Sequence, residues 1–553
     1  MKKAAFILSC LLIILFNHHA IAQEASVGGK ITGNFGLDAQ YYLTDSAINA
    51  PKVNEKILMN SFLNILYTNG NFTAGIRYEA YLNPLLGYDR GYAGNGIPYR
   101  FATYKKDELE VTVGNFYDQL GNGLIFRSYE DKTLGIDNSI DGLRVKYSIL
   151  KGINAKVFGG NQRYYWGKSA GLLRGGDIEF NFNDLLKSME NSKTKLILGA
   201  SAISKFQKDD PTSKYKLPED VGAFAGRFDI SRGRINVQGE YAYKINDPSK
   251  LNNYIFRPGQ ALFLSGSYSR KGLGIIASAK RIDNMNFRTD RLITGNPLTI
   301  NYLPTISKQH TYALAAIYPY ATQPNGEMGY FAQIEYNVKK GSKFGGMYGT
   351  DIVIGFSRIT DLDRTAPSDT NLLDIPGTLG YQSDFLKFGK TLLFQDFNME
   401  VTHKFNKKWK GIFNLINLSY NKAIIEVHPG NPLVHATIAV ADITYKFSEK
   451  KAVRVELQEL VTKQDKGDWF CLLAEYTIAP SWFFSAMDMY NYGNEEPGGS
   501  KLHYYFGSIG YTKGANRIAL SYGRQREGLL CIGGVCRQVP ASNGFQISIT
   551  SSF

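Results

Sequence analysis

The sequence predicts an all-β protein, a transmembrane antiparallel β-barrel of about 24–26 strands with an even strand number. Three observations lead to this fold class. Apolar and polar residues alternate with period two along the chain, the N-terminus has the pattern of an export signal, and the last residue is aromatic. In such a barrel one face of each strand meets lipid and the other meets water, which explains the alternation.

The first residues resemble a secretory signal peptide. A basic start precedes an apolar run over 4–16 and then the small-residue sequence Ala20-Ile21-Ala22. We therefore predict that residues 1–22 are removed, and that residues 23–553 form a single outer-membrane barrel domain with long extracellular loops. The expected location is the outer membrane of a Gram-negative cell, with its lipid as the surrounding partner.

Several other classes of protein are disfavoured. A lipoprotein anchored through Cys10 would need an apolar run before that cysteine, yet Cys10 lies inside the run. No later apolar stretch approaches the roughly 20 residues that a membrane-spanning helix requires. The net charge is +14, and the basic residues form no clustered tract, which argues against nucleic-acid binding.

Aromatic residues distinguish a barrel from a soluble β-sandwich, whose strands also alternate. The chain has 36 Tyr and 33 Phe, and many of them stand beside predicted turns, as in Tyr164-Tyr165-Trp166, Trp409 and Trp482-Phe483-Phe484. Aromatic rings favour the level of the lipid headgroups, so we expect these residues to form girdles at the two membrane interfaces.

The strand pattern also predicts which charges face the lumen. In residues 72–82 the apolar side chains share one face and the charged ones share the other. The lumen-facing candidates found in this way are Arg77, Glu79, Arg144, Lys146, Arg234, Glu240, Arg454 and Glu456. Two interpretations stay open: the charges line a water-filled path, where Arg144 and Lys146 would favour anions, or they pair with each other, as Arg77 with Glu79 and Arg454 with Glu456, and stiffen the wall.

Counting candidate strands gives about 25, so 24 or 26 is expected because such barrels close with even numbers. Long connections predicted at the outer end are 84–96, 119–140, 205–220, 244–259, 360–392 and 527–542. Assigning short turns to the periplasmic side from both ends of the chain gives a conflict between about 286 and 345. Residues 119–140 mix apolar and polar side chains closely, which is compatible with folding into the lumen or with an ordinary surface loop.

The end of the chain alternates and finishes on an aromatic residue. Phe545, Ile547, Ile549 and the terminal Phe553 are predicted to be the signal that barrel-assembly machinery reads during insertion. Cys531 and Cys536 lie just before, in a predicted extracellular loop. An exported protein favours a disulfide between them, and a metal site is the alternative, which lacks nearby His or acidic partners.

No catalytic pattern is present. Five histidines follow the signal peptide, and none stands in a Gly-x-Ser-x-Gly or His-Glu-x-x-His sequence. We expect no enzymatic activity, no cofactor and no metal.

Several stretches resemble a functionally uncharacterised outer-membrane β-barrel family of the Bacteroidota. They include Gly121–Arg127, Val440–Phe447, Tyr511–Gly514, Ala519–Gly528 and Gly533–Arg537. The resemblance runs along the whole mature chain and implies location and fold. It implies no activity and transfers no functional residue.

Two functions are compatible with these observations. The first is a channel, porin-like or uptake protein for a solute, because a barrel of this strand number is wide and its inner face is charged. The alternative is a structural or assembly component of an outer-membrane complex, which docks lipoproteins or secretion machinery.

Overall fold

The computed structural model describes residues 28–367, 372–495, 499–532 and 535–553. The predicted signal peptide lies outside them. Within them, the sheet that forms the wall has 24 strands. Their bounds, in chain order, are β1 Lys30–Leu43, β2 Ile57–Asn69, β3 Phe72–Leu82, β4 Gly94–Lys106, β5 Leu109–Phe116, β6 Ile140–Leu150, β7 Ile153–Tyr164, β8 Gly167–Asn181, β9 Thr194–Phe206, β10 Asp220–Arg232, β11 Ile235–Lys244, β12 Gly259–Arg270, β13 Leu273–Asp283, β14 Gly326–Val338, β15 Thr350–Thr365, β16 Gln382–Lys404, β17 Trp409–Asn421, β18 Leu433–Lys446, β19 Lys451–Thr462, β20 Trp469–Ile478, β21 Trp482–Tyr490, β22 His503–Lys513, β23 Asn516–Gln525 and β24 Ser542–Ser552.

Each wall strand pairs antiparallel with its neighbours in the chain, and the last strand closes the sheet on the first. β24 pairs with β1 over ten residues in register, from Asn34 opposite Ser552 to Leu43 opposite Asn543. Closure leaves no unpaired edge, which is the condition for a sheet to stand in lipid. The predicted fold class is confirmed, and the strand number is the lower of the two expected values.

The two ends of the barrel differ in their connections. Most turns are short at the end of the barrel where β1 begins and β24 ends, such as Gly70-Asn71 between β2 and β3. Most connections at the opposite end are long, which is the extracellular pattern of outer-membrane barrels. The conflict near 286–345 resolves as one long connection, 284–325, which the predicted loops had omitted. The predicted loop 360–392 is also corrected, because β15 and β16 extend into it and leave only 366–381.

Aromatic residues form contact chains at both ends of the outer surface. At the end of the short turns, Trp409 packs on Tyr445 at 4.6 Å between ring centroids, and Trp482 packs on Tyr511 at 4.7 Å. At the extracellular end, Tyr522 packs on Phe545 at 4.6 Å. These rings have the positions of membrane-interface girdles.

One predicted girdle group has another environment. The Tyr165 ring packs against Tyr92 at 4.9 Å, and Trp166 Nε1 donates to the Tyr92 carbonyl oxygen at 3.0 Å. These residues form the β7–β8 turn and bind the connection after β3. Their rings contact protein and do not have the predicted girdle position, because that connection folds over the turn.

The apolar core lies inside the barrel, in its extracellular half. Two clusters form where inner-wall side chains meet connections that fold inward, one around Phe126, Phe158 and Ile300, the other around Leu314 and Trp469. Inner-wall positions are polar elsewhere and apolar here because the connections cover them.

Candidate functional site in the lumen

Residues 284–325 cross the inside of the barrel. Near the start, Thr289 Oγ1 donates to Gln162 Oε1 of β7 at 2.9 Å. Further on, Leu314 N donates to Gln458 Oε1 of β19 at 2.8 Å. β7 and β19 stand far apart in the closed wall, on either side of β13 and β14, which this segment connects. A segment that reaches both lies in the lumen.

Charged and polar groups hold this segment in its middle. His310 Nε2 lies 2.6 Å from Asp396 Oδ2 of β16, and both side chains are buried. Lys308 Nζ lies 3.6 Å from Glu400 Oε2 on the same strand. Three strands away in the wall, Lys280 Nζ of β13 donates to the carbonyl oxygen of Pro304 at 2.6 Å.

A second ionic anchor holds the beginning of the segment. Asp247, in the connection between β11 and β12, lies 2.7 Å from Lys205 Nζ and 3.2 Å from Arg291 Nε. Burial raises the pKa of Asp247, but Lys205, Lys244 and Arg291 outweigh burial and hold that pKa below its ordinary value. The carboxylate is therefore kept charged between cations from the wall and from the segment.

Residues 117–139 also fold into the lumen and bind the first segment. Arg127 N donates to the Ile300 carbonyl oxygen at 2.9 Å, and Tyr302 N donates to that of Gly123 at 2.9 Å. Of the two environments compatible with the predicted loop 119–140, the structure has the luminal one. Fully buried side chains of the segment are Leu120, Leu124, Ile125 and Phe126.

Glu240 of β11 holds this second segment to the wall. Its carboxylate accepts a hydrogen bond from Asn122 N at 2.6 Å. Gly121 stands directly over it with a φ of 52°, and a Cβ at that position would lie 2.3 Å from Glu240 Oε2. Both the backbone conformation and the close approach of the Glu240 carboxylate favour glycine at 121.

Arg77 and Glu79 belong to a buried ionic network. Arg77 Nε lies 2.7 Å from Glu79 Oε1, and Arg163 Nη2 of β7 lies 2.7 Å from Glu79 Oε2. Asp137 of the 117–139 segment contacts both guanidinium groups. Burial raises the pKa of Asp137, and Arg163 and Arg77 more than compensate, so the pKa stays below its ordinary value. The network ties the segment to the wall.

Arg144 and Lys146 lie within a mixed cluster. Arg144 Nη2 is 2.9 Å from Glu110 Oε1, and Arg144 Nη1 is 3.2 Å from Asp118 Oδ2. Lys146 Nζ lies 3.6 Å and 3.8 Å from the same two carboxylates. The neighbouring carboxylates oppose the local preference for anions that the two cations alone would give.

Of the remaining candidates, Arg454 and Glu456 form an ion pair, and the predicted position of Arg234 is corrected. Arg454 contacts Glu456 and also lies 2.7 Å from Glu475 Oε2 and 3.0 Å from Asp442 Oδ2. Arg234, predicted on the inner face of a strand, lies instead in the exposed two-residue turn before β11. The predicted alternation of β11 was extended back by one residue, into the turn that begins at Gly233.

A disulfide joins Cys531 and Cys536 in the hairpin formed by Gly528–Ile532 and Val535–Val539. The hairpin binds the 284–325 segment through its backbone. Asn296 Nδ2 donates to the Cys536 carbonyl oxygen, and Gln309 Nε2 donates to that of Cys531, both at 2.7 Å. The hairpin therefore rests on the segment at the extracellular end.

Cavities remain on both sides of this hairpin. One, of about 390 Å³, is lined by residues from five connections, among them Tyr88, Asp89, Tyr164, Asn296 and Arg537. Another, of about 380 Å³, lies between the 284–325 segment and the last wall strands.

Arg537 gives the first cavity its cation. Its Nε donates to the Thr133 carbonyl oxygen at 2.8 Å, and its guanidinium stands 4.7 Å from the Tyr88 ring centre. It has no ion-pair partner among the described residues. An unpaired cation beside aromatic and amide side chains suits a small polar solute.

The residues of the predicted insertion signal lie in and after β24. Phe545 faces outward, and Ile547 and Ile549 share its side of the strand. Phe553 N donates to the Gly33 carbonyl oxygen at 3.0 Å, and Gly33 N donates back at 2.9 Å. Recognition by assembly machinery stays a prediction.

In the described ranges, His, Cys, Asp and Glu side chains form no group able to hold a metal ion. None of the helices there is long and apolar enough to span a bilayer.

A model of one protein family matches residues 1–553, and its description is a family of unknown function, DUF6029. No curated protein matches the chain significantly.

Solved structures with similar folds are barrels. The translocation pore of the P pilus usher PapC has a TM-score of 0.45 at 10% identity, with 95% of this chain and 99% of that chain covered. The siderophore receptor PirA from Pseudomonas aeruginosa has a TM-score of 0.39 at 8% identity, covering 96% and 81%. OccAB4 from Acinetobacter baumannii has a TM-score of 0.33 at 10% identity, covering 83% and 98%. At these values the similarity carries no conclusion about function.

Proposed function

We propose that this chain, which belongs to the family of unknown function DUF6029, is an uptake protein that passes small polar solutes through a constricted barrel. The resemblance to barrels of the Bacteroidota supports the outer membrane of such a cell as its place. The observation that carries the proposal is the course of residues 284–325, which cross the lumen and bind the wall on both sides. A large barrel would otherwise enclose a wide aqueous channel.

The way in which the segment is held supports a narrowed path. Its contacts combine ion pairs, to Asp396 of the wall and to Asp247 of the β11–β12 connection, with apolar contacts. The cavities on both sides of the disulfide hairpin leave room for small molecules beside the segment. The expected conductance is therefore small for so wide a barrel.

Planar-bilayer conductance tests this proposal. Asp283 pairs with Gly326, so residues 284–325 can be replaced by a short turn without a change in strand register. We expect small openings from the full protein and severalfold larger openings from the shortened variant.

A matched control replaces residues 339–349 at the opposite end by a similar turn, because Val338 pairs with Thr350 there. This variant should conduct like the full protein. A full protein that never opens, together with a shortened variant that conducts no better, would refute the proposal.

The filled extracellular half favours a second candidate function. Inward-folded connections make a rigid end that could dock lipoproteins or secretion machinery. Extraction in mild detergent followed by cross-linking separates the two functions. A stable complex with a barrel that does not conduct would support docking, and a conducting monomer would support uptake.

A further inference from the structure

Residues 372–390, here called the outer flap, lie on the outside of the barrel. The Phe385 ring stands 6.2 Å from Tyr241 of β11, and the Phe388 ring stands 6.1 Å from Tyr330 of β14. Tyr241 alternates along its strand with Glu240, which binds the luminal 117–139 segment. Tyr241 therefore points away from the lumen, and so does the flap that packs on it.

The flap covers a cluster of charges on this outer face. Arg281 Nη2 and Arg257 Nη2 lie 2.9 Å and 2.7 Å from Asp283 Oδ2, and Tyr381 Oη donates to Asp283 Oδ1 at 2.6 Å. Ser383 Oγ donates to the same carboxylate at 2.7 Å. Arg281 and Asp283 are only 2% and 0% exposed although they point outward. The flap therefore shields these charges from the surroundings of the outer wall.

The exposed surface of the flap carries large apolar side chains, with Gln382, Asp384, Lys387 and Lys390 exposed among them. Leu386 is 77% exposed and Leu379 is 55% exposed, and Phe385 and Phe388 are partly exposed beside them. Several exposed large apolar side chains in one segment mark a surface that meets lipid or another protein. The question is whether lipid or protein covers it.

We propose that the outer flap lies in the outer leaflet of the membrane, at the boundary between headgroups and acyl chains. Its apolar side is continuous with the outward-facing Tyr241 and Tyr330 of the wall, so the surface that meets lipid on the strands continues onto the flap. Lys390 stands exposed in the flap, where its stem can lie along acyl chains and its ammonium group can reach headgroup phosphates, while Lys387 Nζ lies 2.6 Å from Asp363 Oδ2 of β15. The flap thus covers a charged stretch of the outer wall and presents apolar side chains in its place.

Spin-label accessibility tests the proposal on the full chain in vesicles of phosphatidylethanolamine and phosphatidylglycerol. Labels at L386C and L379C probe the flap. V237C reports the outward face of β11, and K216C reports an exposed extracellular connection. The native Cys471 is buried and Cys531 is in a disulfide, so labelling without reductant leaves both unmodified.

We expect labels at 386 and 379 to collide with oxygen more often than with a water-soluble nickel chelate, as at 237. The reverse ratio, as at 216, would place the flap in water and overturn the proposal. Low collision rates with both reagents would show that protein covers the flap, and would overturn it equally. Because two flap positions are probed, loss of folding in one variant leaves the test intact.

Discussion

Glu79 shares its two carboxylate oxygens between two guanidinium groups, and its side chain has almost no contact with solvent. Glu79→Gln keeps the shape and removes the charge, so Arg163 would keep only Asp137 and Arg77 would keep Asp137 and Glu130. Removal of one partner from a buried ion pair costs about 3–5 kcal/mol. We expect a loss of that order in the free energy of unfolding, measured by urea titration of the protein in lipid vesicles.

Asp184→Asn is the matched control, since Asp184 lies 3.8 Å from Lys151 in an exposed pair near a short turn. Exposed pairs contribute about 0–1 kcal/mol. Equal losses in the two variants would contradict a special role for the network at Glu79.

Gly121→Ala tests the close approach of a luminal segment to the wall. The φ of 52° strains any side chain, and the Cβ would meet Glu240. Gly70 has a φ of 55° and open space around it, so Gly70→Ala is the control that has the backbone strain without a steric contact. We expect this strain to lower the free energy of unfolding by about 1–2 kcal/mol. We expect hydrogen exchange in residues 117–139 to accelerate in the Gly121 variant. Unchanged protection would mean that Glu240 moves aside without cost.

Alternation in the sequence was sufficient to place Arg77 and Glu79 on one face of β3. It could not supply Arg163 or Asp137, because each lies on an element distant in the chain and the pairing depends on how the barrel curves. For Arg234 the pattern predicted too much. The period-two alternation of side chains continues back from β11 to Gly233, and only the turn geometry excludes Arg234 from the strand.

At the scale of elements, the strands were predictable and the luminal segments only partly so. The 284–325 segment contains apolar residues that imitate a strand, such as Phe287 and Ile300, and there the two assignments of turns to the ends of the barrel conflicted. Pro297, Pro304, Pro319 and Pro324 carried the missing signal, since proline is excluded from the interior of a sheet. That the segment folds inward follows from contacts to distant strands, which a linear pattern does not contain.

The anchor at Asp247 predicts a pH dependence. Its pKa in the folded protein lies below the ordinary value of about 3.9, so its contribution to stability is full above that value and is lost as the pH falls through the lower folded pKa. We expect a spin label at L292C, beside Arg291, to stay immobile from pH 7 to 5 and to gain mobility below about pH 4.

Asp247→Asn supplies the control for this anchor. The variant should be mobile at every pH, because the cations lose their carboxylate. A label equally immobile in both proteins at pH 7 would show that other contacts hold the start of the segment.

At the scale of the whole molecule, closure joins the two ends of the chain. β1 and β24 pair along their length, and Phe553 exchanges two backbone hydrogen bonds with Gly33. The sequence predicted an even, closed barrel because export, alternation and an aromatic end agree with each other. The contents of the lumen could not be predicted, because the alternation of side chains describes the two faces of each strand and not which inner positions the connections cover.

The backbone of the terminal residue closes the barrel, whereas recognition of its ring during assembly is a prediction that can be tested separately. Phe553→Ala keeps the backbone hydrogen bonds to Gly33, so the folded barrel should retain its resistance to heat in detergent. If the ring is what barrel-assembly machinery reads, assembly into vesicles that contain the purified machinery should slow severalfold. Phe72→Ala is the control, because Phe72 is another exposed aromatic residue at the same end of the barrel. Equal slowing in both variants would assign the effect to lost contact with lipid and not to recognition of the chain end.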